Sequence, residues 1–524
     1  MAYEYTFVHG PLASNELVEE LSALYSGQYG IWSFNAPRNP GRRVRLAPAK
    51  VREWLTADSK IALAKCNGQV IGYAIAVQVK IKDYGVISWV TQLVIHEAHR
   101  HLDVGKTLLF SIWGFSDHFA WGLITANPYA IRALEKATRR RCSPERIARN
   151  KRKLFAIGTE QTSYVRADTP LEVTAETSRI NTQFFLDHSE LAAMLANATV
   201  SAPWLLGAIE EGWEWFAFTF HDQDPIGLSP AEIDKMIKAS DQVTRQAYSR
   251  MQLGATHHWA QHTPAEARLV AEYCRLSSGK TVLDLGCGNG RHVLELAAMG
   301  LNVTGVDYLP GLFDGAKESA ARRGLTGARF IAGDARSVDL KDTFDAVICL
   351  YDVIGSYAED AENLLMLENC SRHLTAGGML LMSVMNFELT EHQARHFFCL
   401  AEEPNRLADL QPSHTMETTG NVFNPEFYMI DRQTGVVYRK EQFTEGDQLP
   451  AQLVVRDRRY RRGQIEEACR NCGLEVIWSR FVQTGHWEDA LDRHDSRAKE
   501  ILVLCRKPGP ASAAPDAGTT ESPV

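Results

Sequence analysis

The 524-residue chain contains no unbroken apolar run near the roughly 20 residues that a membrane-spanning helix needs. Its first residues, MAYEYTFVHGPLASNE, lack the basic and apolar regions of a secretory signal. The ten cysteines are scattered, which favours reduced thiols in a cytoplasm. The closest pair, Cys469 and Cys472, has no second CxxC or His pair nearby, so we predict no metal site. These absences predict a cytoplasmic protein that does not bind membranes.

The composition is that of a globular protein, with 45% hydrophobic and 23% charged residues and a net charge of −8. A chain of this length predicts two or three domains. Two segments are nevertheless basic: residues 138–153 carry eight basic residues against one acid, and residues 456–462 carry five Arg around Tyr460. Such runs are typical of solvated faces, but they also suit phosphate contacts with a nucleic acid.

The distribution of strand-like, helix-like and aromatic runs along the sequence predicts four segments. Strand-like and helix-like runs alternate in an N-terminal domain, 1–175, and in a C-terminal domain, 263–508, which carries an insertion at 387–463. Between them, residues 176–262 are rich in aromatics and are predicted to form a helical connecting segment that contributes to a lid or substrate region. The Pro- and Ala-rich end, 509–524, cannot bury enough apolar surface to fold and is predicted to be disordered.

Glycines crowd the end of a strand-like run in TVLDLGCGNG, at 286, 288 and 290. Glycine permits a tight turn and a close approach of backbone N–H groups to a ligand. Asp307, at the end of the next strand-like run, is placed to accept hydrogen bonds from ribose hydroxyls. The dinucleotide fingerprint GxGxxG would need a third glycine at 291, where this chain has Arg.

The stretch DLGCGNG resembles motif I of the class I methyltransferases that use S-adenosylmethionine, and later motifs follow in the family's order in GDARSVDL, FDAVICLYDVIGSY and LTAGGMLLMSVMN. The resemblance implies an α/β fold with a Rossmann-like, seven-stranded sheet closed by CGLEVIWSRF and ILVLCRKP. It also implies cofactor contacts at Asp284, Gly286, Cys287, Gly288, Gly290, Asp307, Tyr308, Asp334, Ala335 and Leu350.

The loop LYDVIGSY lacks the (D/N)PP(Y/F/W) sequence of amino-methylating nucleic-acid enzymes and looks instead like methyltransferases of small metabolites. Tyr351, Asp352 and Tyr357 are predicted to line the acceptor site, although packing or capping explains them equally well. His257 and His258 could supply a catalytic base or simply pack in a lid. Within the insertion, Gln433-Thr434-Gly435 predicts a hairpin turn.

The N-terminal domain begins with a hairpin predicted around Asn67-Gly68. The strands and helices that follow resemble the GNAT family of acetyl-coenzyme A-dependent N-acyltransferases, with RHLDVG at 100–105 matching its pyrophosphate-binding motif and ANPYAIRALEKA its next helix. The resemblance implies a mixed sheet with helices and acetyl-coenzyme A contacts at Arg100, Val104, Gly105, Lys106 and Asn127, with Glu97 as a candidate base.

Two residues depart from the GNAT pattern. Asp103 stands where the family has a glycine and would bring a negative charge next to a pyrophosphate. Leu134 stands where many members have the tyrosine that reprotonates the coenzyme thiolate. The domain therefore either acylates with coenzyme A or binds another ligand or a partner.

Three functional hypotheses follow. The chain acylates and methylates one small molecule, it modifies nucleic acid such as tRNA or DNA, or its N-terminal domain recruits the methyltransferase to a protein. The missing NPPY-type loop and the net charge of −8 favour the first. The Arg clusters and the tryptophans Trp204, Trp213 and Trp215 keep the second open. The sequence does not indicate an oligomeric state.

Overall fold

The structure is a computed structural model that describes residues 3–199, 202–238, 241, 258–403, 406–407, 409–414, 421–443 and 451–509. The chain divides into two compact units. Unit 1 comprises Met1–Ala247, Cys399–Thr418 and Arg439–Val455, and unit 2 comprises Tyr248–Phe398, Thr419–Tyr438 and Arg456–Val524. Apart from residue 509, the predicted disordered tail lies outside the described residues.

Unit 1 is built on an eight-stranded sheet of order β1-β2-β3-β4-β5-β8-β7-β6. β4 and β5 run parallel, and the other neighbouring pairs run antiparallel. Its strands are β1 (Glu4–His9), β2 (Ser59–Cys66), β3 (Gln69–Ile81), β4 (Gly85–Ile95), β5 (Ala120–Thr125), β6 (Leu171–Val173), β7 (Ser178–Phe184) and β8 (Gly212–Phe220). The predicted mixed sheet is therefore present.

The hairpin predicted around Asn67-Gly68 is confirmed. Cys66 at the end of β2 pairs with Gln69 at the start of β3. Asn67 and Gly68 both have positive φ, 50° and 79°, which is the backbone that a two-residue hairpin turn requires.

The helices of unit 1 follow β1, β4, β5 and β7. They are α1 (Asn15–Gln28), α2 (Pro48–Trp54), α3 (Val104–Trp113), α4 (Pro128–Thr138), α5 (Pro144–Gln161) and α6 (Leu191–Thr199). Every residue of α3 is buried.

The prediction of a helical connecting segment at 176–262 is wrong for much of its length. The structure has α6 and a helical stretch at 230–238 there, but β7 and β8 are strands of the unit 1 sheet. The run WEWFAFTF in β8 is almost wholly buried, and Trp215 packs against Trp204 with ring centroids 4.7 Å apart. Its aromatics fill the core of unit 1, which is why they gave no clear alternation in the sequence.

Unit 2 is built on a second eight-stranded sheet, of order β11-β10-β9-β12-β13-β21-β19-β20. Its strands are β9 (Thr281–Leu285), β10 (Asn302–Asp307), β11 (Ala328–Ala332), β12 (Phe344–Cys349), β13 (Leu374–Met385), β19 (Glu475–Gln483), β20 (His486–Leu491) and β21 (Glu500–Arg506). β9 to β13 run parallel, and β21 is antiparallel to both β13 and β19. The expected count of seven strands needs correction, because His486–Leu491 adds an eighth at the edge.

The helices of unit 2 are α7 (Thr263–Tyr273), α8 (Arg291–Ala298), α9 (Asp314–Arg323), α10 (Asp360–Arg372), α11 (Phe387–Gln393) and α12 (Arg462–Asn471). Successive residues of one strand belong to different apolar clusters: Leu283 and Leu285 to one, and Val282 to the other. The sheet is thus covered on both faces, and the carboxyl ends of β9, β10 and β12 lie at one edge, where open parallel sheets bind ligands.

The predicted insertion contains short strands. β14 (Phe397–Phe398) pairs with β16 (Tyr428–Asp431) in unit 2, and β15 (Pro412–Ser413) pairs with the unit 1 part of β17 (Val437–Phe443); β18 is Ala451–Asp457. The predicted turn is confirmed, because Gly435, with φ 70°, donates its N–H to Asp431 O at 2.8 Å. Segments 399–418 and 439–455 group with unit 1 and not with the C-terminal domain to which the sequence analysis assigned them.

Within the described ranges, no helix has the length and apolar character needed to cross a membrane.

Candidate functional site

The turn at 286–290 follows β9 directly and leads into α8. Gly286, Gly288 and Gly290 have φ of 84°, 54° and 75°, which residues with a Cβ rarely adopt. A Cβ on Gly286 would lie 2.6 Å from Val353 Cγ2, and one on Gly290 would lie 2.5 Å from Phe330 Cε1. The turn therefore needs glycine for both its conformation and its packing.

Asp307 holds this turn from the neighbouring strand. Its Oδ2 accepts the Gly288 N–H at 3.0 Å, and its Oδ1 accepts the Leu309 N–H at 3.0 Å. Burial raises the pKa of its carboxyl, while these backbone hydrogen bonds act in the opposite direction. Tyr308, the next residue, is exposed at the rim. The predicted residues of β10 are thus brought beside those of the glycine turn.

Asp284 lies in β9 beneath the same turn. It is buried, and its Oδ2 has no hydrogen-bonding partner in the part of the chain that the structure describes. Burial raises the pKa of this carboxyl to about 7; the charge of Arg291 lowers it and that of Asp307 raises it. Asp284 Oδ2, a buried acceptor next to the glycine turn at 286–290, therefore fits a ligand that donates a hydrogen bond.

Residues after β11 and β12 complete this edge of the sheet. Asp334 forms an ion pair with Arg336, with 2.5 Å between Oδ2 and Nη2, and the Ala335 carbonyl accepts a hydrogen bond from Asn369 at 2.9 Å. Leu350 is buried at the end of β12. Asp334, one of the predicted cofactor contacts, therefore already has a guanidinium partner.

The loop after β12 carries the predicted acceptor residues. Tyr351 has a φ of 64°, and its N–H donates to Ser383 Oγ at 2.6 Å. Asp352 is exposed, and Tyr357 lies under the guanidinium of Arg336, 4.7 Å from its ring centroid. The left-handed backbone at Tyr351 is unusual for an aromatic residue and is held by the surrounding contacts.

The Tyr351 hydroxyl hydrogen-bonds to Glu266, which the sequence analysis did not single out. Glu266 also contacts Arg291 Nη1 at 2.6 Å and His292 Nε2 at 2.8 Å. Although burial raises the pKa of Glu266, its contacts with His292, Arg291 and Tyr351 lower it to about 2. Burial and the charge of Arg291 lower the pKa of His292 to about 4, so at neutral pH the neutral imidazole donates to the carboxylate.

This network ties α7 to the start of α8 and to the acceptor loop. The sequence TPAEARLV indicates that Glu266 is buried, because Glu266 adjoins the buried residue Ala267 and lies four residues before buried Val270 on the same helix. An acid on the buried face of a helix implies a partner.

Glu500 is a second acid that the sequence analysis missed. It begins β21, and its Oε1 accepts a hydrogen bond from Thr484 Oγ1 at 2.7 Å. Burial raises its pKa to about 7, and the charges of Glu266 and Asp352 act in the same direction. The signal was its position directly before the apolar run ILVLC.

The two histidines predicted above the cofactor receive no structural account. His257 lies outside the described residues, and His258 is described only in its backbone, as the start of a short 3-10 helix, His258–His262.

The residues predicted to contact acetyl-coenzyme A lie at the end of β4 and the start of α3 and α4. Arg100 donates to Gln28 O at 2.6 Å and to Ile95 O at 3.2 Å, and Lys106 Nζ lies 3.1 Å from Asp103 Oδ2. Asn127 caps α4 by accepting the Tyr129 N–H at 2.9 Å. Arg100 and Asn127 are therefore hydrogen-bonded within unit 1, whereas Lys106 Nζ is ion-paired with Asp103 but has no hydrogen-bonding partner among the described residues.

The remaining three residues of the acetyl-coenzyme A prediction are partly buried and partly at the surface. Val104 and Gly105 are buried, and a Cβ on Gly105 would lie 3.0 Å from Ile95 Cδ1. Glu97 is exposed at the end of β4, where its N–H donates to Gln28 Oε1 at 2.9 Å.

The basic segments are rich in intramolecular ion pairs. All five Arg of 456–462 lie near a carboxylate: Arg456 near Glu359, Arg458 near Asp360, Arg459 near Asp457, Arg461 near Glu391 and Arg462 near Glu466. In the other segment, Arg139 and Arg140 are buried, while Arg141 pairs with Glu135.

Residues 282–378, which contain the glycine turn, Asp307 and the acceptor loop, match the family model described as a methyltransferase domain. Unit 2 carries a methyltransferase domain. The match starts within β9 and ends within β13, so it covers the five parallel strands. It supports S-adenosylmethionine-dependent methyl transfer as the chemistry of this domain.

Similar curated proteins include a tRNA (guanine(10)-N2)-dimethyltransferase of Methanothermobacter thermautotrophicus, 29% identical over 24% of this chain and 39% of that protein. Another is the ubiquinone biosynthesis O-methyltransferase of Rickettsia conorii, 31% identical over 22% of this chain and 40% of that protein. The chain thus spans about two fifths of the length of these relatives. Among solved structures, the CcbJ methyltransferase from Streptomyces caelestis is 16% identical over 47% of this chain and 90% of its own, with a TM-score of 0.36.

Proposed function

We propose that this protein transfers a methyl group from S-adenosylmethionine to a small-molecule acceptor in unit 2. The observation that carries the proposal is the glycine turn after β9, held by Asp307 and lying above the buried acceptor Asp284. The match of residues 282–378 to the methyltransferase domain family supports it independently.

The residues at this edge of the sheet suit the parts of that cofactor. Asp307, at the end of β10, would accept from the ribose hydroxyls, as acids at this position do in related nucleotide folds. Asp284 Oδ2 and the backbone of the turn would face the amino-acid end, where an ammonium group supplies the donor that Asp284 lacks. Leu350 and Ala335 would lie beside the adenine.

Bound S-adenosylmethionine supplies an electrophilic methyl group on a sulfonium. The chain's own contribution is to orient the acceptor, exclude water and take up a proton where the nucleophile carries one. Tyr351 is poorly suited to accept that proton, because burial raises the pKa of its phenol and its hydroxyl already bonds to Glu266. Glu500, with a pKa of about 7, is the better candidate for this role.

The acceptor is proposed to be a small molecule because the loop LYDVIGSY lacks the motif of nucleic-acid amino-methylating enzymes. The similarity to a tRNA dimethyltransferase favours nucleic acid as the alternative acceptor. The ion pairs of 456–462 weigh against it, since these arginines already face carboxylates that a phosphate would have to displace.

A second candidate function is acyl transfer from acetyl-coenzyme A in unit 1. Its support is the single parallel pair, β4 and β5, in an otherwise antiparallel sheet, with α3 between them in the chain. This order agrees with the GNAT resemblance of the sequence, and the two domains would then modify one acceptor. The ion pair between Asp103 and Lys106 opposes pyrophosphate binding at the start of α3.

Thermal unfolding of the full chain with S-adenosylhomocysteine, acetyl-coenzyme A and coenzyme A, separately and together, tests both functions. A ligand at about 100 times its dissociation constant stabilises the unit that binds it by about 2.7 kcal/mol. Stabilisation by S-adenosylhomocysteine is expected, and its absence would contradict the methyltransferase proposal. Stabilisation by coenzyme A as well would establish the second site, whereas no shift would leave unit 1 without that function.

A further inference from the structure

Residues 30–45 of unit 1 form a hairpin between α1 and α2 that neither proposed function uses. Its arms run antiparallel, with Ile31 opposite Arg43. The Ser33 N–H also donates to Phe185 O at 2.9 Å, directly after β7. These backbone contacts give the hairpin a defined shape and attach it to unit 1.

The hairpin carries positive charge and no acid. Residues 21–52 contain no Asp or Glu, although the chain has 64 of these residues. Four exposed arginines of the hairpin form no ion pair with any described residue: Arg38, Arg42, Arg43 and Arg45. Arg43 donates to Gly27 O at 2.6 Å, but a carbonyl does not neutralise its charge. All four guanidinium charges therefore remain for an anion from outside unit 1.

The two other basic segments of the chain differ in this respect. Each Arg of 456–462 lies near a carboxylate, and in 138–153 the arginines Arg141, Arg146 and Arg149 are ion-paired. A phosphate would have to displace a carboxylate there, whereas at the hairpin it would displace only water and counterions. The hairpin is thus the better phosphate-binding surface.

The tip of the hairpin exposes an aromatic ring. Phe34 is 84% exposed, the highest value for a large apolar side chain among the described residues. A Cβ on Gly41 would lie 2.9 Å from Phe34 Cε1, so the ring lies against the glycine backbone while most of its surface faces water. Such exposure is unfavourable for an apolar ring and is relieved when a flat apolar group covers it.

Guanidinium groups around an exposed ring suit one class of partner. Arg binds phosphate oxygens with two parallel hydrogen bonds, and an aromatic ring stacks on an unpaired base. In a duplex the bases are already stacked on each other and are not available to the ring. An acidic protein fits less well, because a stable protein interface needs about 800 Å² on each partner and the hairpin offers one large, highly exposed apolar side chain.

We propose that the hairpin 30–45 binds a few nucleotides of single-stranded nucleic acid. The phosphates contact the four arginines, and one base stacks on Phe34. This binding belongs to unit 1 and does not depend on the methyl acceptor of unit 2.

Fluorescence anisotropy of the full chain with a labelled single-stranded RNA of about 10 nucleotides tests the proposal. Binding releases counterions, so the logarithm of the affinity falls with the logarithm of the salt concentration by about 0.7 for each phosphate neutralised. Four arginines predict a slope of about −3. A duplex of the same sequence and length is expected to bind several-fold more weakly, because its bases cannot stack on Phe34.

Two double variants with the same change in net charge locate the binding. Arg38→Gln with Arg42→Gln removes two phosphate partners and should reduce the slope by about 1.4. Lys151→Gln with Arg152→Gln, at two exposed positions of α5, is the matched control and should leave the slope unchanged.

A third variant separates stacking from charge. Phe34→Leu keeps an apolar side chain but removes the ring, so it should weaken binding about fivefold or more without changing the slope. A slope reduced by Phe34→Leu, or an affinity that it does not change, would contradict the role of the ring.

Absence of RNA binding by the unmodified protein at about 50 mM salt would overturn the proposal, and so would equal slopes in the two double variants. Equal binding of the duplex, or displacement of the RNA by poly-glutamate at the same charge concentration, would instead assign the hairpin to any polyanion and would also overturn it. The comparisons of RNA, duplex and poly-glutamate need no substitution, so misfolding of a variant cannot hide the result. Titration with S-adenosylhomocysteine tests unit 2 separately, so failure at the hairpin leaves the methyltransferase proposal untouched.

Discussion

Each unit begins a helix with a residue in the left-handed conformation, directly after a strand and a short loop. In unit 2 this residue is Gly290, with φ 75°, before α8; in unit 1 it is Asp103, with φ 61°, before α3. Around Gly290, Asp284 keeps a buried oxygen without a hydrogen-bonding partner among the described residues. Around Asp103, the carboxylate faces Lys106, and Arg100 donates to two backbone carbonyls.

The comparison teaches that a strand–turn–helix element does not by itself make a nucleotide site. What differs is which polar groups remain for a ligand after the fold has satisfied its own hydrogen bonds. Among the described residues, the unit 2 turn leaves a buried acceptor, Asp284 Oδ2, beside its glycines, whereas the unit 1 turn leaves a buried donor, Lys106 Nζ, with the Asp103 carboxylate already 3.1 Å from it. Three substitution or pH experiments, with decreasing expected effects, test this difference between the two turns.

The largest effect is expected for Glu266→Gln in unit 2. The change removes the carboxylate that contacts Arg291, His292 and Tyr351, and breaking such a buried pair costs about 3–5 kcal/mol. Unit 2 should unfold at a lower denaturant concentration while unit 1 does not change, as followed by chemical denaturation. Glu272→Gln, on the exposed side of α7, is the matched control. A loss as small as the control's would show that the network does not support the site.

The second effect concerns pH. The pKa values of Glu500 in unit 2 and Glu214 in unit 1 are each raised to about 7 by burial, so the folded chain holds these protons to higher pH than the unfolded chain. The stability they contribute is present below about pH 4.5 and is lost as pH rises through about 7, by at most about 3 kcal/mol for each group. The pKa of Glu266 is instead lowered to about 2, so its contribution to stability is present at neutral pH and is lost only as pH falls towards about 2.

Between about pH 5 and pH 8 these two carboxyls should therefore each lower stability as pH rises. His292 in unit 2 and His118 in unit 1, whose pKa values burial lowers to about 4 and about 3, act in the opposite direction up to about pH 6.5. In melting curves, Glu500→Gln should reduce the loss of stability with rising pH in unit 2 alone, where Asp284, with a pKa also raised to about 7, keeps part of it. Glu214→Gln should reduce that loss in unit 1 alone. A pH dependence that is the same in each variant as in the unmodified protein would contradict the burial of these carboxyls without a cationic partner.

The smallest effects on stability are expected when the left-handed residue of each unit, Gly290 or Asp103, is substituted separately. Gly290→Ala places a Cβ against Phe330 at positive φ and should cost about 1–3 kcal/mol in unit 2. Asp103→Gly relieves the backbone and removes one carboxylate near the buried Lys106 ammonium, but Glu232 Oε1 remains 3.9 Å from that ammonium, so unit 1 should change by less than about 1 kcal/mol. The same variant should improve the affinity of coenzyme A, if unit 1 binds it, by a few-fold. Equal destabilisation by both substitutions would remove the contrast between the turns.

Much of unit 2 could be predicted from the sequence because its signals are local. The spacing of Gly286, Gly288 and Gly290 and the acid at 307 specify a turn that few other structures need. The sequence places Glu266 and Glu500 beside buried apolar residues but does not identify their partners, because these hydrogen bonds form only in the folded unit. Tyr351 is 85 residues from Glu266, and Thr484 is 16 residues from Glu500. In unit 1, β8 was missed because a strand buried among aromatics has no polar–apolar alternation.

The most direct test of the account is a calorimetric titration of the full chain with S-adenosylhomocysteine, repeated with Asp307→Asn. One site per chain is expected, and the variant should lose affinity by about 10- to 100-fold, since a hydrogen bond to a charged group is worth about 1.5–3 kcal/mol. Asp314→Asn, an exposed acid at the start of α9, should bind as the unmodified protein does. Absence of binding by the unmodified protein, or unchanged affinity in a folded Asp307→Asn variant, would contradict the assignment of the cofactor site to the glycine turn of unit 2.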